Sequence, residues 1–393
     1  MPFNGSSQYP TVAVVYHFFA HYRSAILERM VRSRAYHYLF VGDIKDPTNS
    51  GIKEWTKPAS VQFIYAPCRF LRGRYLIQRG LLRLAWDKDI QAIIFLGDVQ
   101  FLTTWLAAAL ARLRGKRVLF WTHGWTRPEF GPKDSIRCTF YRLAHGLLLY
   151  GSRAREMAIQ RRFRPENLYI IYNSLDYEQQ KRIRNTITPT ELTQVRSELF
   201  GDHDRPMVIC PGRLVRSRRL DLLMQAMAEL KQQGHCVNLL LVGDGTERES
   251  LSELAIRLGV SVNFYGACYD EERLARLIMA ANVTIAPGGV GLTVVHSLTY
   301  GVPVVTNDNP DEQGPEWEAI IPGKNGAYFR QNDTHDLARC IKDWTQADWL
   351  SEDARQRCYE IVERLYNPEY QIHIIEQALT GKPAQTDSIA HDH

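Results

Sequence analysis

Short runs of apolar, often β-branched residues alternate with helical stretches along this chain, and the pattern occurs twice. In the first half the runs fall near residues 11–16, 36–41, 61–65, 92–96, 117–121, 146–150 and 168–172, and in the second near 207–210, 237–242, 262–265, 283–286 and 303–306. Continuous apolar runs of this length suit strands buried on both faces, and their alternation with helices predicts an α/β fold with parallel sheets. Residues 176–206 are polar, charged and poor in strand formers, as expected of a connector containing one short helix near 192–199. The pattern predicts an N-terminal domain over 1–180, a connector over 181–205, a second domain over 206–362, a last helix over about 353–380 and a frayed tail over 381–393.

Length and composition narrow the class of molecule. With 393 residues and 45% apolar side chains the chain can fill the cores of two or three ordinary domains. No run reaches the roughly 18 to 20 apolar residues that span a bilayer, and the polar start MPFNGSSQYP lacks a signal-peptide pattern, so a cytoplasmic protein is expected. Seven cysteines with no Cys-x-x-Cys pair predict reduced thiols and no zinc site.

Charge is unevenly divided. Residues 1–180 hold 26 Lys/Arg against 13 Asp/Glu and the remainder 22 against 30, giving +13 and −8. The N-terminal half is therefore expected to face something anionic. Its arginines concentrate over 69–88, where Arg69, Arg72, Arg79 and Arg83 alternate with Phe70, Leu71, Leu76, Leu81, Leu82 and Trp86. This reads as a basic amphipathic helix, either lying on the anionic inner face of a membrane or packed on a core with a solvated arginine face. No zinc-finger, RNA-recognition or helix-turn-helix signature accompanies these charges, so nucleic acid is not an expected partner.

The densest local signal is APGGVGLTVVHSLTYGVPVV over 286–305. Gly288, Gly289 and Gly291 leave a bare backbone before a helix start, and such a turn cradles phosphate. Upstream, Arg213, Arg218 and Arg219 follow the 207–210 run, close enough in sequence to converge on one diphosphate or to pair with surface carboxylates. Gly243, Asp244 and Gly245 make a tight strand-to-helix turn, with a helix beginning near Glu247. In the first half, His123 and Gly124 follow a strand between Trp121 and Trp125, whose rings can stack on a sugar or fill a core. His17, His21, Tyr22 and Arg23 end the first strand, and Asp98 ends another, where it also suits a helix cap.

The order of the segments at 210–226, 239–245, 262–267, 286–305 and 322–329 resembles the C-terminal half of the GT-B glycosyltransferases, specifically the large retaining family 4. The likeness extends over nearly the whole chain through WTHGW, LLLYGSRA and IIYNSLDY, and is nearest to divergent bacterial capsule, exopolysaccharide and O-antigen enzymes. It implies two Rossmann-like domains facing across a cleft, with a C-terminal helix over about 363–380 returning to the first domain. It also implies transfer of a hexose or deoxyhexose from a nucleotide diphosphate sugar, UDP favoured and GDP the second choice, to a glycan or lipid-linked acceptor, without metal or other cofactor.

Carried over residue by residue, the resemblance places nucleotide and donor contacts at Gly212, Gly243, Ala267, Gly289, Val290, Gly291, Leu292, Thr293 and His296. It places catalytic groups at His123, Arg213, Arg218 and Glu316, and the acceptor side at His17, His21, Tyr22 and Asp98. One departure stands out. Family members carry two glutamates flanking the phosphate turn, and those positions here are Gly288 and His296. Gly288 is expected to open the sugar pocket, His296 to hydrogen-bond ribose, and Glu316 to supply the missing carboxylate or else to cap a helix. The departure also leaves open an inverting transferase using His17, His21 or Asp98 as base, a catalytically inactive nucleotide-binding scaffold, and a non-hydrolysing epimerase.

Overall fold

Each apolar run is long enough to cross one sheet and too uniform to leave a face in water. In the computed structural model, which describes residues 8–48, 51–59, 61–346 and 351–384, the runs form two parallel sheets in two compact units. The first unit uses the chain up to Asp176 and from Asn367 onward; the second is Tyr177–Tyr366.

The first unit contains β1 (Thr11–Phe18), α1 (Ser24–Val31), β2 (His37–Asp43), β3 (Phe63–Tyr65), β4 (Cys68–Leu71), β5 (Tyr75–Gln78), α2 (Leu81–Trp86), β6 (Ile90–Leu96), α3 (Leu102–Leu113), β7 (Arg117–Thr122), α4 (Pro132–Tyr141), β8 (Gly146–Leu149), α5 (Ser152–Gln160) and β9 (Leu168–Ile170). Its seven-stranded sheet runs β3-β2-β1-β6-β7-β8-β9, so the strand order reverses between β1 and β6. Successive residues of β1 point to opposite faces: Ala13 and Val15 pack with Leu81, Leu84, Ala107 and Ala111, while Val12 and Val14 pack with Ile26, Leu27 and Met30.

The second unit contains α6 (Tyr177–Arg184), α7 (Pro189–Phe200), β10 (Met207–Pro211), α8 (Leu220–Gln232), β11 (Asn238–Val242), α9 (Arg248–Leu258), β12 (Val262–Gly266), α10 (Glu271–Met279), β13 (Val283–Ala286), α11 (Thr293–Thr299), β14 (Val304–Asn307), β15 (Gly326–Phe329), α12 (Thr334–Gln346) and α13 (Glu352–Arg364). Its sheet runs β12-β11-β10-β13-β14-β15 and reverses between β10 and β13. The chain then returns as α14 (Pro368–Thr380), whose Ile372, Ile375 and Ala378 close the α1 face of the first sheet.

Four expectations need correction. The basic segment over 69–88 is not one helix but the antiparallel β4–β5 hairpin followed by the six-residue α2. Arg72 (φ 51°) and Gly73 (φ 64°) turn the chain over, and its apolar residues are spaced for a strand as well as for a helix. The connector holds two helices, the second started by a capping box in which Thr188 and Glu191 bond each other's backbone N–H. The single helix over 353–380 is two, because Asn367 caps a new start and Pro368 cannot continue the old one. The second sheet gains a sixth strand, β15, from the short Gly326–Phe329 run. Of the tail, residues 385–393 lie outside those described.

Candidate functional site

Open parallel sheets bind ligands beyond the carboxyl ends of their strands where the order reverses. In the second unit that place is the pair of loops after β10 and β13, and bare backbone packs the β10 loop against the loop after β11 on one side and the β13 loop on the other. A Cβ on Gly243 would stand 1.9 Å from the Gly212 carbonyl oxygen, and one on Gly245 2.3 Å from that of Leu214. On Gly288 it would stand 2.0 Å from the Ser217 oxygen, and the Gly288 N–H donates to Arg218 O at 3.1 Å. Gly288 therefore does not open a pocket; the Ser217–Arg218 backbone fills the space that a side chain would need.

The turn that follows is braced from three sides. Arg218 Nη1 donates to Gly289 O at 2.8 Å, where φ is 98°. Val290 N–H donates to Gln313 Oε1 at 2.9 Å, and Gly314 N–H donates to Val290 O at 2.7 Å. Asn307 Nδ2 holds Pro287 O at 2.8 Å. Glu316 is buried at 4% exposure, and its Oε2 lies 3.8 Å from where a Cβ on Gly291 would sit. The N–H groups of Gly291, Leu292 and Thr293 meet no acceptor among the described residues. Free amides, one guanidinium and one buried carboxylate thus share a single turn.

The other second-unit candidates are more dispersed. Arg213 is exposed. Arg219 turns aside to Asp221, with Nε 3.2 Å from Oδ1, and to Asn332, so the three arginines do not converge. Gly212 (φ 144°) and Gly243 (φ 153°) shape the loops rather than offering side chains, and Ala267 is exposed just past β12.

His296 has a partner that the sequence reading missed. Its Nε2 lies 2.8 Å from Glu271 Oε1, the same oxygen that accepts from Tyr300 OH at 2.6 Å and Gln180 Nε2 at 2.9 Å. Burial raises the Glu271 carboxyl, but the bond and charge of His296 with the other two donors outweigh it and bring the pKa to about 2. A carboxylate does stand beside His296, delivered from the start of α10.

In the first unit the loop after β1 places His17, His21, Tyr22 and Arg23. His17 packs edge-on against Phe18 and Phe101, and desolvation lowers its pKa to about 4. His21 Nδ1 lies 3.1 Å from Lys53 O. His123 sits 4.6 Å from the Tyr150 ring; crowding and the charge of Arg23 both lower its basicity, although its edge still meets solvent and tempers the first effect. Asp98 Oδ1 accepts the Gln100 N–H at 2.8 Å, a local turn contact. Trp121 and Trp125 are each 1% exposed, and Trp125 Nε1 donates to Asp134, so both are core residues rather than sugar platforms. Among the described residues no three His, Cys, Asp or Glu side chains cluster as metal ligands, and no helix is long and apolar enough to cross a membrane.

Residues 193–363 match the family described as Glycosyl transferases group 1. The lipopolysaccharide core biosynthesis glycosyltransferase LpsE of Rhizobium meliloti is 29% identical over 190 residues, 48% of this chain and 54% of that protein. A GDP-mannose-dependent alpha-(1-6)-phosphatidylinositol monomannoside mannosyltransferase of Mycolicibacterium smegmatis is 30% identical over 158 residues, 37% of this chain and 40% of that one. The chain spans about half the length of the curated relatives it matches. Anabaena HepE, solved in complex with UDP, superposes with a TM-score of 0.70 at 16% identity, covering 94% of this chain and 99% of that one. The two share the GT-B fold.

Proposed function

We propose that this chain, whose residues 193–363 match the group 1 glycosyl transferases, moves a hexose or deoxyhexose from a nucleotide diphosphate sugar to a hydroxyl of a glycan or lipid-linked acceptor. UDP is the favoured carrier and bacterial surface polysaccharide synthesis the setting. The observation that carries this reading is the turn over 288–293, with its free amides, Arg218 bonded to Gly289 O and Glu316 buried alongside. HepE structures with UDP and with UDP-glucose support UDP, while the GDP-mannose-dependent relative keeps GDP as the second choice.

In this reading, cleavage of the donor's glycosidic bond builds negative charge on the β-phosphate and positive charge on the sugar ring. The amides of Gly291, Leu292 and Thr293, with Arg213 and Arg218, stabilise the departing diphosphate without a metal ion. Glu316 holds hydroxyls of the donor sugar. The acceptor hydroxyl attacks the anomeric carbon on the face that the phosphate leaves, and the departing phosphate oxygen takes its proton, which retains configuration. His17, His21, Tyr22 and Asp98 form the acceptor side, with His123 as the catalytic histidine. Exposed Arg69, Arg72, Leu71, Tyr75, Leu82 and Trp86 on and beside the hairpin favour a peripheral position on the inner face of the membrane.

Thermal shift of the intact chain against UDP, GDP, ADP and dTDP, repeated with Arg213→Ala and Arg218→Ala, tests the donor site. A diphosphate at 100 times its dissociation constant stabilises the fold by roughly 2.7 kcal/mol. One diphosphate should respond in the wild type, weakly in either variant. Silence toward all four sinks the proposal, and the nucleotide-binding scaffold with it.

A further inference from the structure

Arg23 is a half-buried cation that the fold leaves without an acid among the described residues. It ends the short 3-10 turn His21–Arg23 after β1, at the point where the first sheet reverses order between β1 and β6. Its guanidinium carbon lies 5.1 Å from the Tyr16 ring centroid, 5.3 Å from Trp121, 5.7 Å from Tyr150 and 5.8 Å from Tyr22. Nη2 donates to Tyr150 OH at 2.5 Å, and Nη1 reaches Tyr16 OH at 3.4 Å. No described carboxylate pairs with it.

The surroundings keep that charge in place without neutralising it. Burial works against the charged form, yet Tyr150, Tyr16 and Tyr22 hold Arg23 protonated. Burial also keeps Tyr16 and Tyr150 in their neutral phenol forms. His17 and His123, both within reach of its field, are driven toward neutrality. A guanidinium has five N–H donors, and the tyrosine hydroxyls take two. Cation–π contact offsets part of the cost of its partial burial, and a guanidinium with donors left over is satisfied best by a forked anion. The excess of 26 Lys/Arg over 13 Asp/Glu across residues 1–180 draws such an anion toward this unit.

We infer that Arg23 and its ring of aromatic side chains form a subsite for an anionic group, a carboxylate or a phosphate, on the sugar acceptor, with Tyr22 and His123 at its rim. The word acceptor rests on the transferase reading; the anion site itself does not. Ligand-observed NMR titration of the intact chain with methyl glucuronide, glucose 6-phosphate and neutral methyl glucoside tests it. At least one anionic sugar should bind roughly tenfold or more tightly than the glucoside, and comparing the two separates carboxylate from phosphate. Arg23→Gln should erase that preference. Arg23→Lys, which keeps the charge but loses the fork, should weaken the preferred anion about tenfold and stands as the test if the glutamine variant shows no cooperative melt. Equal binding of the neutral sugar, no binding of either anion, or an unchanged preference in both variants overturns the subsite. The UDP thermal shift, read on the same samples, separates the two readings: an anion preference without any UDP response retires the transferase and leaves the anion site standing.

Discussion

The two sheets end in edges built from opposite materials. The edge of the second unit is backbone on backbone: Gly243, Gly245 and Gly288 bring one loop against another with no room for a Cβ. The edge of the first unit is side chain on side chain, with Tyr16, Trp121, Tyr150 and Tyr22 around Arg23. Main-chain amides fixed by glycine contacts suit a ligand part that recurs unchanged, such as a diphosphate. Rings and one cation can be exchanged by ordinary substitution, which suits a ligand part that varies, such as an acceptor.

Restoring the family's carboxylate at position 288 puts this contrast to its hardest test. Gly288→Glu must push its Cβ into Ser217 O and Arg218 Cα, at 2.0 and 2.7 Å, and neither is a side chain that can swing away. A loss of roughly 3 kcal/mol or more is expected, with the UDP thermal shift abolished. Gly124→Ala at the first edge meets Leu149 Cδ2 at 3.1 Å and Ala154 Cβ at 3.3 Å, in a backbone with φ 64°. There the Leu149 methyl can give and the Ala154 contact is only slightly tight, so only about 1–2 kcal/mol is expected, mostly from the backbone. Urea unfolding of the two variants showing equal losses breaks the comparison.

Acid should loosen the two edges in separate windows. His17 titrates at about 4 in the folded chain against roughly 6.5 unfolded, so the unfolded state takes up its proton first and stability falls as pH drops from about 6.5 to 4. Glu271 titrates at about 2 against roughly 4.3 unfolded, so its contribution is complete above about pH 5 and is lost on going down toward 2. Each should amount to about 1–3 kcal/mol, with Glu271 toward the lower figure because a third of its side chain meets water. Hydrogen exchange resolves the units, which one unfolding curve does not. His17→Gln should make the upper window shallower in the first unit only, with His123 keeping its own share there, and Glu271→Gln should flatten the lower window in the second only.

What could be read beforehand follows the same division. The parallel strands were legible because a strand buried on both faces must be apolar throughout, and the 286–305 segment because consecutive glycines before a helix have few other uses. The hairpin was not, since Arg72 adopts a positive φ that no arginine advertises and the surrounding apolar spacing fits two periods. Glu271 stood hidden behind an ordinary role: an acidic residue just after the Asp270 cap reads as a favourable helix start, and its contacts to Gln180, His296 and Tyr300 are set only by tertiary packing. Arg23 was visible as a loop residue, but its lack of an acid depends on what the strands bring around it. Gly288 was misjudged for a related reason, because an absent side chain signals equally an open pocket or a neighbour already occupying the space.

The smallest expected effect asks whether the first edge is held by rings or by hydroxyls. Tyr150→Phe removes the oxygen that accepts from Arg23 Nη2 at 2.5 Å while leaving the ring 5.7 Å from the guanidinium. Because Arg23 keeps some solvent contact, water can take the vacated donor, and the loss should be only about 0.5–1.5 kcal/mol. Tyr16→Phe, which gives up a 3.4 Å contact, should cost less still. If ring faces are the main support, both variants retain the preference for an anionic sugar over a neutral one, since the charge and its aromatic surround persist. A loss well above 2 kcal/mol in Tyr150→Phe would instead make the phenol oxygen the chief partner of Arg23, and the first edge would then depend on fixed hydrogen-bond geometry much as the second does.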